Sequence, residues 1–356
     1  MEHAEIAQWL MGNAGPVIRY RLSSGFYHDE GRAEQERIGL LTSPLVRSWL
    51  ERIPSECDRH TLHGAVPQTF ENVIGKLYEF GLRKGDGSID IRLVPFKRWM
   101  EEQVDLPPQG YLPVLHRTIC AAFLTMTGYE EGAVDAWVRH RLDQVYDFAR
   151  RPDLEHAYIP QDTFPGFPKA FRRSPLLRPD LYPDDDLKLP WIYDLYAFLH
   201  SKGIMGDEDL RSKVEKVIEL VLSPQYQSLW PGYGVVRHDK QYHMMGWSVH
   251  LPGYQGDYVT GREFSRMLLL LELLDRSELA ASHDWYLWST RIVQERLEVG
   301  HVRYFSRTDL PESNSGVWVL GMRMGLEENR RSTKALECES AFRYLQIRGL
   351  NAEIEK

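Results

Sequence analysis

The stretch that organises the chain is residues 230–261, WPGYGVVRHDKQYHMMGWSVHLPGYQGDYVTG. Its six glycines and two prolines favour neither a continuous helix nor a long strand. The segments on both sides have the apolar spacing of helices, so we expect a helical scaffold that presents an aromatic, histidine-rich loop to a pocket. In particular, a rigid turn at residues 246–253 should bring Trp247 and His250 to the wall of the largest pocket.

Composition predicts a folded chain and excludes one class of partner. A hydrophobic content of 43% over 356 residues is enough for a substantial core. The 10 Trp, 18 Tyr and 13 Phe either pack between helices or line a wide cavity. A formal net charge of -8 and the lack of a long basic run argue against a nucleic-acid surface.

Cysteine usage and hydropathy predict a cytoplasmic protein. Cys57, Cys120 and Cys338 are odd in number and far apart, so a disulfide framework is not expected. The first residues are acidic where a signal peptide is basic, and no uninterrupted apolar run approaches the ~20 residues of a membrane span. We therefore expect no transmembrane segment, with peripheral membrane contact left open.

Apolar periodicity predicts helices along most of the chain. They cover residues 3–11, 14–24, 31–41, 44–53, 68–82, 93–105, 113–128, 131–150, 191–203, 207–223, 261–276, 283–299 and 331–348. Within 1–53, the pieces GPVIRYRL and SPLVRSWL indicate a helical repeat whose members begin at a proline. Residues 151–190 contain eight prolines, so an ordered, lid-like loop is expected there.

Many helices with short connections predict an all-α fold. Helix 261–276 has almost no polar face, whereas helix 131–150 has an apolar stripe. An inner ring of apolar helices surrounded by amphipathic ones would explain both patterns. We therefore predict a single αα-toroid domain over residues 1–356, also known as an α/α barrel, built from helical hairpins and carrying the long proline-rich loop.

Several motifs carry a family resemblance. They are AQWLMGNAGPVIRYR (7–21), GKLYEFGL (75–82), GWSVHLP (246–252), GLEENRR (325–331) and ECESAFR (337–343). Together they resemble a bacterial family of squalene-cyclase-like or prenyltransferase-like αα-toroid proteins. The resemblance covers most of the chain and implies a fold more strongly than a reaction.

The chain departs from the characterised enzymes of that fold. The Asp-x-Asp-Asp proton-donor motif of class II terpene cyclases is absent, and PDDD at 183–186 is the nearest match. Related zinc enzymes bind their metal through cysteine and histidine, and here only Cys57 lies near histidines, His60 and His63. We expect no cofactor and name no metal ligand, although zinc and magnesium are not excluded.

Two groups of residues are candidates for catalysis. The adjacent carboxylates Asp184, Asp185 and Asp186 would raise the pKa of at least one member and provide a proton donor in a dry site. The alternative is an acidic cap on the next helix or a solvated turn. His243 and His250, with Asp257 as an orienting carboxylate, could supply an acid or base. The alternative is that these histidines only hydrogen-bond the backbone.

Aromatic residues are the candidates for substrate binding, because a ring face can stack on a sugar or stabilise a carbocation. Core packing is the alternative for each of them. The candidates are Trp230, Tyr233, Trp247, Tyr254, Tyr258 and Trp318, joined by His63, which with Glu71 could instead cap a helix.

Two further acidic groups are interpreted more simply. Glu327 and Glu328 are read as part of a solvated connection before the last helix. Glu337 and Glu339 lie about 200° apart on that helix, so at most one of them can face the interior.

The function that these features favour is a terpene-cyclase-like enzyme, a lyase or isomerase, that acts on an apolar or isoprenoid small molecule by acid–base chemistry. One alternative is a carbohydrate-active enzyme, a glycosidase or lyase, which would pair Asp185 with Asp257 or with Glu312 across a cleft. A second alternative is a non-catalytic helical scaffold.

Overall fold

The structure is a computed structural model that describes residues 3–104, 106, 110–183, 186–256, 258–259, 261–298, 304–311, 323–329 and 331–347, without the side chains of Arg262 and Glu298. Most of these residues are helical. The α-helices are α1 (His3–Asn13), α2 (Pro16–Arg21), α3 (Glu30–Thr42), α4 (Pro44–Leu50), α5 (Arg59–Leu62), α6 (Phe70–Glu79), α7 (Gly87–Asp90), α8 (Val94–Gln103), α9 (Tyr111–Met126), α10 (Ala133–Ala149), α11 (Ile192–His200), α12 (Lys202–Met205), α13 (Glu208–Leu222), α14 (Pro224–Gln227), α15 (Gly261–Leu274), α16 (Glu278–Ala281), α17 (Asp284–Glu298) and α18 (Thr333–Leu345).

The mainly helical class is confirmed, and each segment that the sequence predicts as helical contains a helix. Both α2 and α4 begin with proline in the first turn, where the missing N–H has no intrahelical partner to lose. A π-helical turn, Leu22–Phe26, continues α2. Periodicity was sufficient for most of these elements because they bury an apolar stripe, although α3 buries only Leu40.

A small sheet corrects the all-α prediction. Its strands are β1 (Tyr158–Ile159), β2 (Leu176–Leu177), β3 (Val235–His238) and β4 (Gln241–Met244), in that order across the sheet. Strands β2 and β3 pair in parallel, and the other two pairings are antiparallel. The β3–β4 hairpin lies within the stretch predicted as a loop. It turns at Asp239, whose φ of 51° is one that Asp tolerates better than most residues.

The chain folds into two compact units. The first unit comprises residues 1–56, 63–93 and 252–356, and the second comprises residues 57–62 and 94–251, each in its described part. The closed toroid and the single domain stay predictions.

The core of the first unit includes α15. From Met267 to Leu274 every side chain of this helix except Glu272 is buried, as its apolar sequence predicts. Each fully buried Leu or Met contributes about 1.5–3 kcal/mol relative to an exposed one. Helices α1 and α18 also pack together in this unit, where the rings of His3 and Tyr344 stack 5.6 Å apart.

The core of the second unit is formed around α9 and α11, which pack against each other and are almost entirely buried. Helix α10 covers α9 with a stripe that includes Val134, Val138 and Leu142. Within residues 151–190, the described part contains strands β1 and β2 and short 3-10 turns. Its function as a lid stays a prediction.

Two properties concern membranes and thiols. Among the described ranges, no helix combines the length and hydropathy needed to cross a bilayer. All three cysteines are free thiols, and the Cys120 thiol donates to the Phe96 carbonyl at 3.9 Å. Burial raises the pKa of the Cys120 thiol well above its usual value, so it stays protonated.

Candidate functional site

The predicted site residues are distributed over both units. In the second unit lie Asp186, Trp230, Tyr233, His243, Trp247 and His250. In the first unit lie His63, Tyr254 and Tyr258. Asp184, Asp185, Asp257 and Trp318, together with Glu312, lie outside the described residues.

Asp186 is a buried ion-pair partner. Its carboxylate accepts hydrogen bonds from Arg141 Nη1 and, at 2.7 Å, from His140 Nε2. Burial by itself would raise the pKa of Asp186, but the Arg141 charge and the two hydrogen bonds hold that pKa below its usual value. The arrangement is that of a carboxylate that stays ionised rather than of a proton donor.

Arg141 is the centre of this group, which we call the Arg141 cluster: Arg141, Asp186, Asp194 and Trp191. The guanidinium binds both carboxylate oxygens of Asp194, with Nε to Oδ1 at 3.1 Å and Nη2 to Oδ2 at 2.9 Å. It also donates to the Leu187 carbonyl at 2.7 Å and lies over the Trp191 ring at 4.8 Å. The cluster therefore fastens the end of the proline-rich segment to α10 and α11.

The sequence contains a signal for this cluster. Arg141 falls on the same helical stripe as Val134, Val138 and Val145, so a charged residue occupies an apolar face. Such a residue needs a buried partner, because an isolated charge is costly to remove from water. Asp194, three residues into the next long helix, satisfies that need and also accepts the backbone N–H of Trp191 at 2.9 Å.

His250 has partners on both ring nitrogens. Nε2 lies 2.9 Å from the Leu229 carbonyl, which requires a proton on Nε2, and Nδ1 lies 3.0 Å from Ser248 Oγ. Ser248 Oγ in turn accepts the backbone N–H of Gly232 at 2.8 Å. These contacts join His250 to Ser248, Gly232 and Leu229. They correspond to the alternative in which the histidine hydrogen-bonds the backbone. A catalytic role of His250 stays a prediction.

The aromatic residues of the central stretch are not equivalent. Tyr233 is fully buried, with its hydroxyl bonded to Tyr226 and, at 2.6 Å, to the Pro190 carbonyl. Trp247 is half-buried, and its ring centroid lies 6.4 Å from that of Tyr193. Trp230 is 44% exposed. Core packing therefore accounts for Tyr233, whereas Trp230 is available to solvent.

His63 and Glu71 form a contact at the start of α6 in the first unit. His63 Nδ1 lies 2.6 Å from Glu71 Oε1, which also accepts the backbone N–H of Gly64 at 2.8 Å. Glu71 is buried and His63 is half-buried. The geometry resembles the capping alternative, because the carboxylate binds the chain that precedes the helix.

A groove in the first unit is the best candidate site. Its volume is about 750 Å³, within the range of small-molecule pockets. We call it the aromatic groove. It is lined by Gly256, Tyr258, Val259, Gly261, Trp288, Ile292, Glu295, Arg296, Tyr304, Phe305, Ser306, Thr308 and Asp309. Of the predicted site residues that the structure describes, only Tyr258 lines it.

A close packing contact holds Trp288 in the wall of the groove. Gly253 has a φ of +69°, in the left-handed region, and a Cβ at this position would lie 2.4 Å from Trp288 Cη2. Only glycine therefore permits the indole to lie against this turn. Beside it, the ring of Tyr254 stacks on His283 with centroids 6.2 Å apart.

The groove has an excess of negative charge. Arg296 Nη1 pairs with Asp309 at 2.8 Å, its Nη2 donates to the Val259 carbonyl, and its guanidinium lies 4.2 Å from the Phe264 ring centroid. The second carboxylate, Glu295, is exposed and has no hydrogen bond or ion pair with any described residue. Two carboxylates thus face one guanidinium whose donors are already in use.

Sequence reasoning missed most of this groove. Trp288, Ile292 and Glu295 are spaced four and three residues apart on α17, so they share one helical face. That stripe of aromatic, aliphatic and acidic side chains is a signal that could have been recognised. The sequence contains no comparable signal that residues 304–309 lie in the same groove, because their position depends on tertiary packing.

A second buried group of charges lies in the first unit. We call it the Arg343 cluster: Arg343, Glu79, Glu272 and Glu339. Arg343 Nη1 lies 2.7 Å from Glu79 and 3.0 Å from Glu272, and Nε lies 3.9 Å from Glu339. Glu339 is fully buried whereas Glu337 is half-buried, in agreement with the predicted helical spacing.

The Arg343 cluster holds the segment that precedes α18. Glu339 accepts the backbone N–H of Gly325 at 2.7 Å, and Arg343 Nη2 donates to the Arg323 carbonyl at 3.1 Å. Lys76 of α6 donates to the carbonyls of Met324 at 2.6 Å and Gly325 at 2.8 Å. These contacts hold the backbone of residues 323–325 in place, which indicates a structural role.

Glu327 corrects the prediction of a solvated connection. Its two carboxylate oxygens accept the backbone N–H of Gly15, at 2.8 and 3.1 Å, and Glu328 accepts the Ser43 hydroxyl at 2.6 Å. Burial raises the pKa of Glu327 to about 7, helped by the nearby charge of Glu339. The sequence predicted exposure because charged residues are clustered there; Glu328 is exposed, but Glu327 is half-buried and binds the start of α2.

The raised pKa of Glu327 predicts a pH dependence. The folded-state pKa of about 7 exceeds the ordinary value of 4.5, so the folded state holds an extra proton between these limits. The contribution of Glu327 to the free energy of unfolding is therefore complete below about pH 4.5 and is lost as the pH rises through about 7. Glu327→Gln should remove this loss. In equilibrium denaturation at pH 5 and pH 8, the free energy of unfolding of the variant should rise relative to that of the wild type only at pH 8. An equal difference at both values would contradict the assignment.

The last two observations on the site concern groups of metal ligands and similarity to known proteins. Within the described part of the chain, no three His, Cys, Asp or Glu side chains converge as metal ligands. No protein-family model, curated protein or solved structure matches this chain. The resemblance to squalene-cyclase-like proteins therefore stays a prediction, and so does the expectation about metals.

Proposed function

We propose that the aromatic groove binds an apolar or isoprenoid small molecule and that the chain is a terpene-cyclase-like enzyme of the αα-toroid type. The observation that carries the proposal is the lining of the groove. Tyr258, Trp288 and Tyr304 offer ring faces, Ile292 adds aliphatic surface, and the buried Phe305 ring forms part of the wall. Ring faces attract positive charge, so such a wall suits a substrate that passes through a carbocation.

The charges of the groove favour a neutral substrate. Glu295 and Asp309 outnumber Arg296, and the Arg296 donors are engaged by Asp309 and Val259. A diphosphate would meet net repulsion and no free cation among the described residues that line the groove. We therefore expect a neutral isoprenoid rather than a prenyl diphosphate to be the preferred ligand.

Glu295 is the residue that we assign to proton transfer. Its carboxyl has no competing partner among the described residues and lies in the same groove as Trp288 and Tyr258. In its protonated form this carboxyl transfers its proton to an alkene carbon of the substrate to give a carbocation, and loss of a proton from a neighbouring carbon to the carboxylate returns the acid and leaves an isomer.

Trp288→Ala tests the groove directly. Loss of the indole should raise the Kd for a neutral linear isoprenoid such as farnesol or squalene about tenfold or more, since a buried aromatic contact contributes about 1.5–3 kcal/mol. Binding is measured by titration calorimetry in detergent, and products by mass spectrometry. Trp230→Ala, at the exposed tryptophan of the second unit, is the matched control and should leave the Kd unchanged.

The outcomes separate the candidate functions. If Trp230→Ala weakens binding and Trp288→Ala does not, the groove is not the binding site. If farnesyl diphosphate binds better than the neutral compounds, the charge argument fails. If no isoprenoid binds or reacts, the terpene-cyclase-like proposal is wrong, and the helical scaffold becomes the better account.

A carbohydrate-active enzyme is the second candidate, because two carboxylates share the groove with tryptophan and tyrosine. Glu295 and Asp309 would take the acid and base or nucleophile roles that glycosidases give to a carboxylate pair. This candidate predicts that soluble oligosaccharides bind to the groove and that Glu295→Gln abolishes their cleavage without weakening their binding. Binding of isoprenoids alone would exclude it.

A further inference from the structure

The two faces of the β3–β4 hairpin differ in what they contact. The register pairs Val236 with His243 and His238 with Gln241, so both histidines lie on one face. On the opposite face, Tyr242 donates its hydroxyl to the Pro165 carbonyl and Arg237 lies over the Phe164 ring. The opposite face is thus covered by the proline-rich segment.

The histidine face meets the start of α9. The His243 ring stacks on Tyr111, the first residue of α9, with centroids 6.4 Å apart. His238 Nε2 lies 3.5 Å from where a Cβ on Gly110 would be. Gly110 is the N-cap of this 16-residue helix, has a φ of +105°, and provides no side-chain hydrogen bond. The helix therefore begins next to two imidazoles without a cap from its own sequence.

Several hydrogen-bond donors at this place have no acceptor. Tyr111 is 3% exposed and Trp191 is fully buried, yet neither Tyr111 Oη nor Trp191 Nε1 has a partner in the described structure. Their rings are in edge contact, with centroids 5.9 Å apart. The His243 ring likewise forms no hydrogen bond to a described residue. Leaving a buried donor unpaired costs about 1–3 kcal/mol, so this concentration of donors requires an explanation.

The surroundings are suited to negative charge. A helix N-terminus carries about half a positive charge and free N–H groups. The turn of the hairpin, residues 237–241, lines a pocket of about 640 Å³ that includes Arg237 and Lys240. Of the groups that face this pocket, Asp239 is acidic, is highly exposed, and lies 3.7 Å from His238 Nε2. Arg141, against the far side of Trp191, is already matched by Asp186 and Asp194.

We propose that the N-terminus of α9, with Tyr111, Trp191 and His243, binds an oxyanion, the phosphate or carboxylate group of a small molecule. The anion would accept hydrogen bonds from the Tyr111 hydroxyl, the Trp191 indole and the His243 ring, and from the backbone N–H groups of Tyr111 and Leu112, because Pro113 has none. This site belongs to the second unit and does not depend on the aromatic groove.

Tyr111→Phe is the deciding variant, because it removes one oxygen atom and preserves the ring. The full-length wild type should bind inorganic phosphate or acetate, measured by titration calorimetry and by the quenching of tryptophan fluorescence. Tyr111→Phe should raise the Kd about tenfold or more, since a hydrogen bond to a charged group contributes about 1.5–3 kcal/mol. In the absence of anion its melting temperature should be unchanged or higher, because an unpaired buried hydroxyl is lost.

Two further variants complete the test. Tyr242→Phe removes a hydroxyl from the opposite face of the same hairpin and should leave the Kd unchanged. His243→Phe should raise the Kd as Tyr111→Phe does. The proposal is overturned if neither anion binds to the wild type, or if Tyr242→Phe weakens binding as much as Tyr111→Phe. It is also overturned if Tyr111→Phe lowers the melting temperature and leaves the Kd unchanged.

Discussion

Arg141→Met lowers the free energy of unfolding by about 3–5 kcal/mol, the loss expected when one partner of a buried ion pair is removed. The substitution leaves Asp186 and Asp194 buried without their cation, and the Leu187 carbonyl without its donor. Methionine fills similar space, so the effect reports mainly on charge. Urea denaturation followed by far-UV circular dichroism measures it.

Arg139→Met is the matched control. Arg139 is on the same helix, is 41% exposed, and pairs with Asp135 at 2.7 Å across one turn. Exposed pairs of this kind contribute about 0.3–0.5 kcal/mol. Equal losses for the two variants would refute the structural role of the Arg141 cluster. A pH series adds a second check, because carboxylates without Arg141 take up protons on folding and the deficit should shrink in acid.

Arg343→Met should have a comparable or larger effect, because three carboxylates lose their common partner. Glu79 and Glu339 are almost fully buried, and Glu272 is half-buried. Burial raises the pKa of Glu272 even with Arg343 present, so removing the guanidinium should favour its protonated form further. We expect a loss of about 3–5 kcal/mol or more in the free energy of unfolding.

Hydrogen exchange provides a local measurement of the same variant. Glu339 accepts the amide of Gly325, and its own position depends on Arg343. The exchange of that amide should therefore accelerate in Arg343→Met. Lys334→Met is the control on α18, since Lys334 is exposed and its contact is the Trp9 ring, 4.2 Å away. Accelerated exchange at Gly325 in both variants would rule out the cluster as the cause.

The sequence predicts the helices well because each one follows a local rule. An apolar period near 3.6 and a proline in the first turn are visible within ten to twenty residues. The β3–β4 hairpin escapes prediction because Val235 and Val236 break strict alternation and glycines flank the strands. Residues 230–261 therefore look like a loop although their centre forms a hairpin.

The buried charged contacts were harder to predict, since their residues come from distant parts of the chain. Arg343 reaches Glu79 across 264 positions, and Glu327 reaches Gly15 across 312. Nothing in the local composition around Glu327 distinguishes a cap on another segment from a solvated turn. A charge on an apolar stripe, as at Arg141, is the one local signal that such a partner exists.

The order of the two units along the chain has a consequence for synthesis on the ribosome. The first unit needs residues 252–356 to complete the partners of its first helices, because α1 packs against α18 and the His3 ring stacks on Tyr344. The second unit is almost continuous, so its helices can associate soon after residue 251 emerges. We therefore expect the apolar faces of α1 to α4 to remain without part of their native contacts while more than two hundred residues are translated, which makes this nascent segment the natural client of a chaperone.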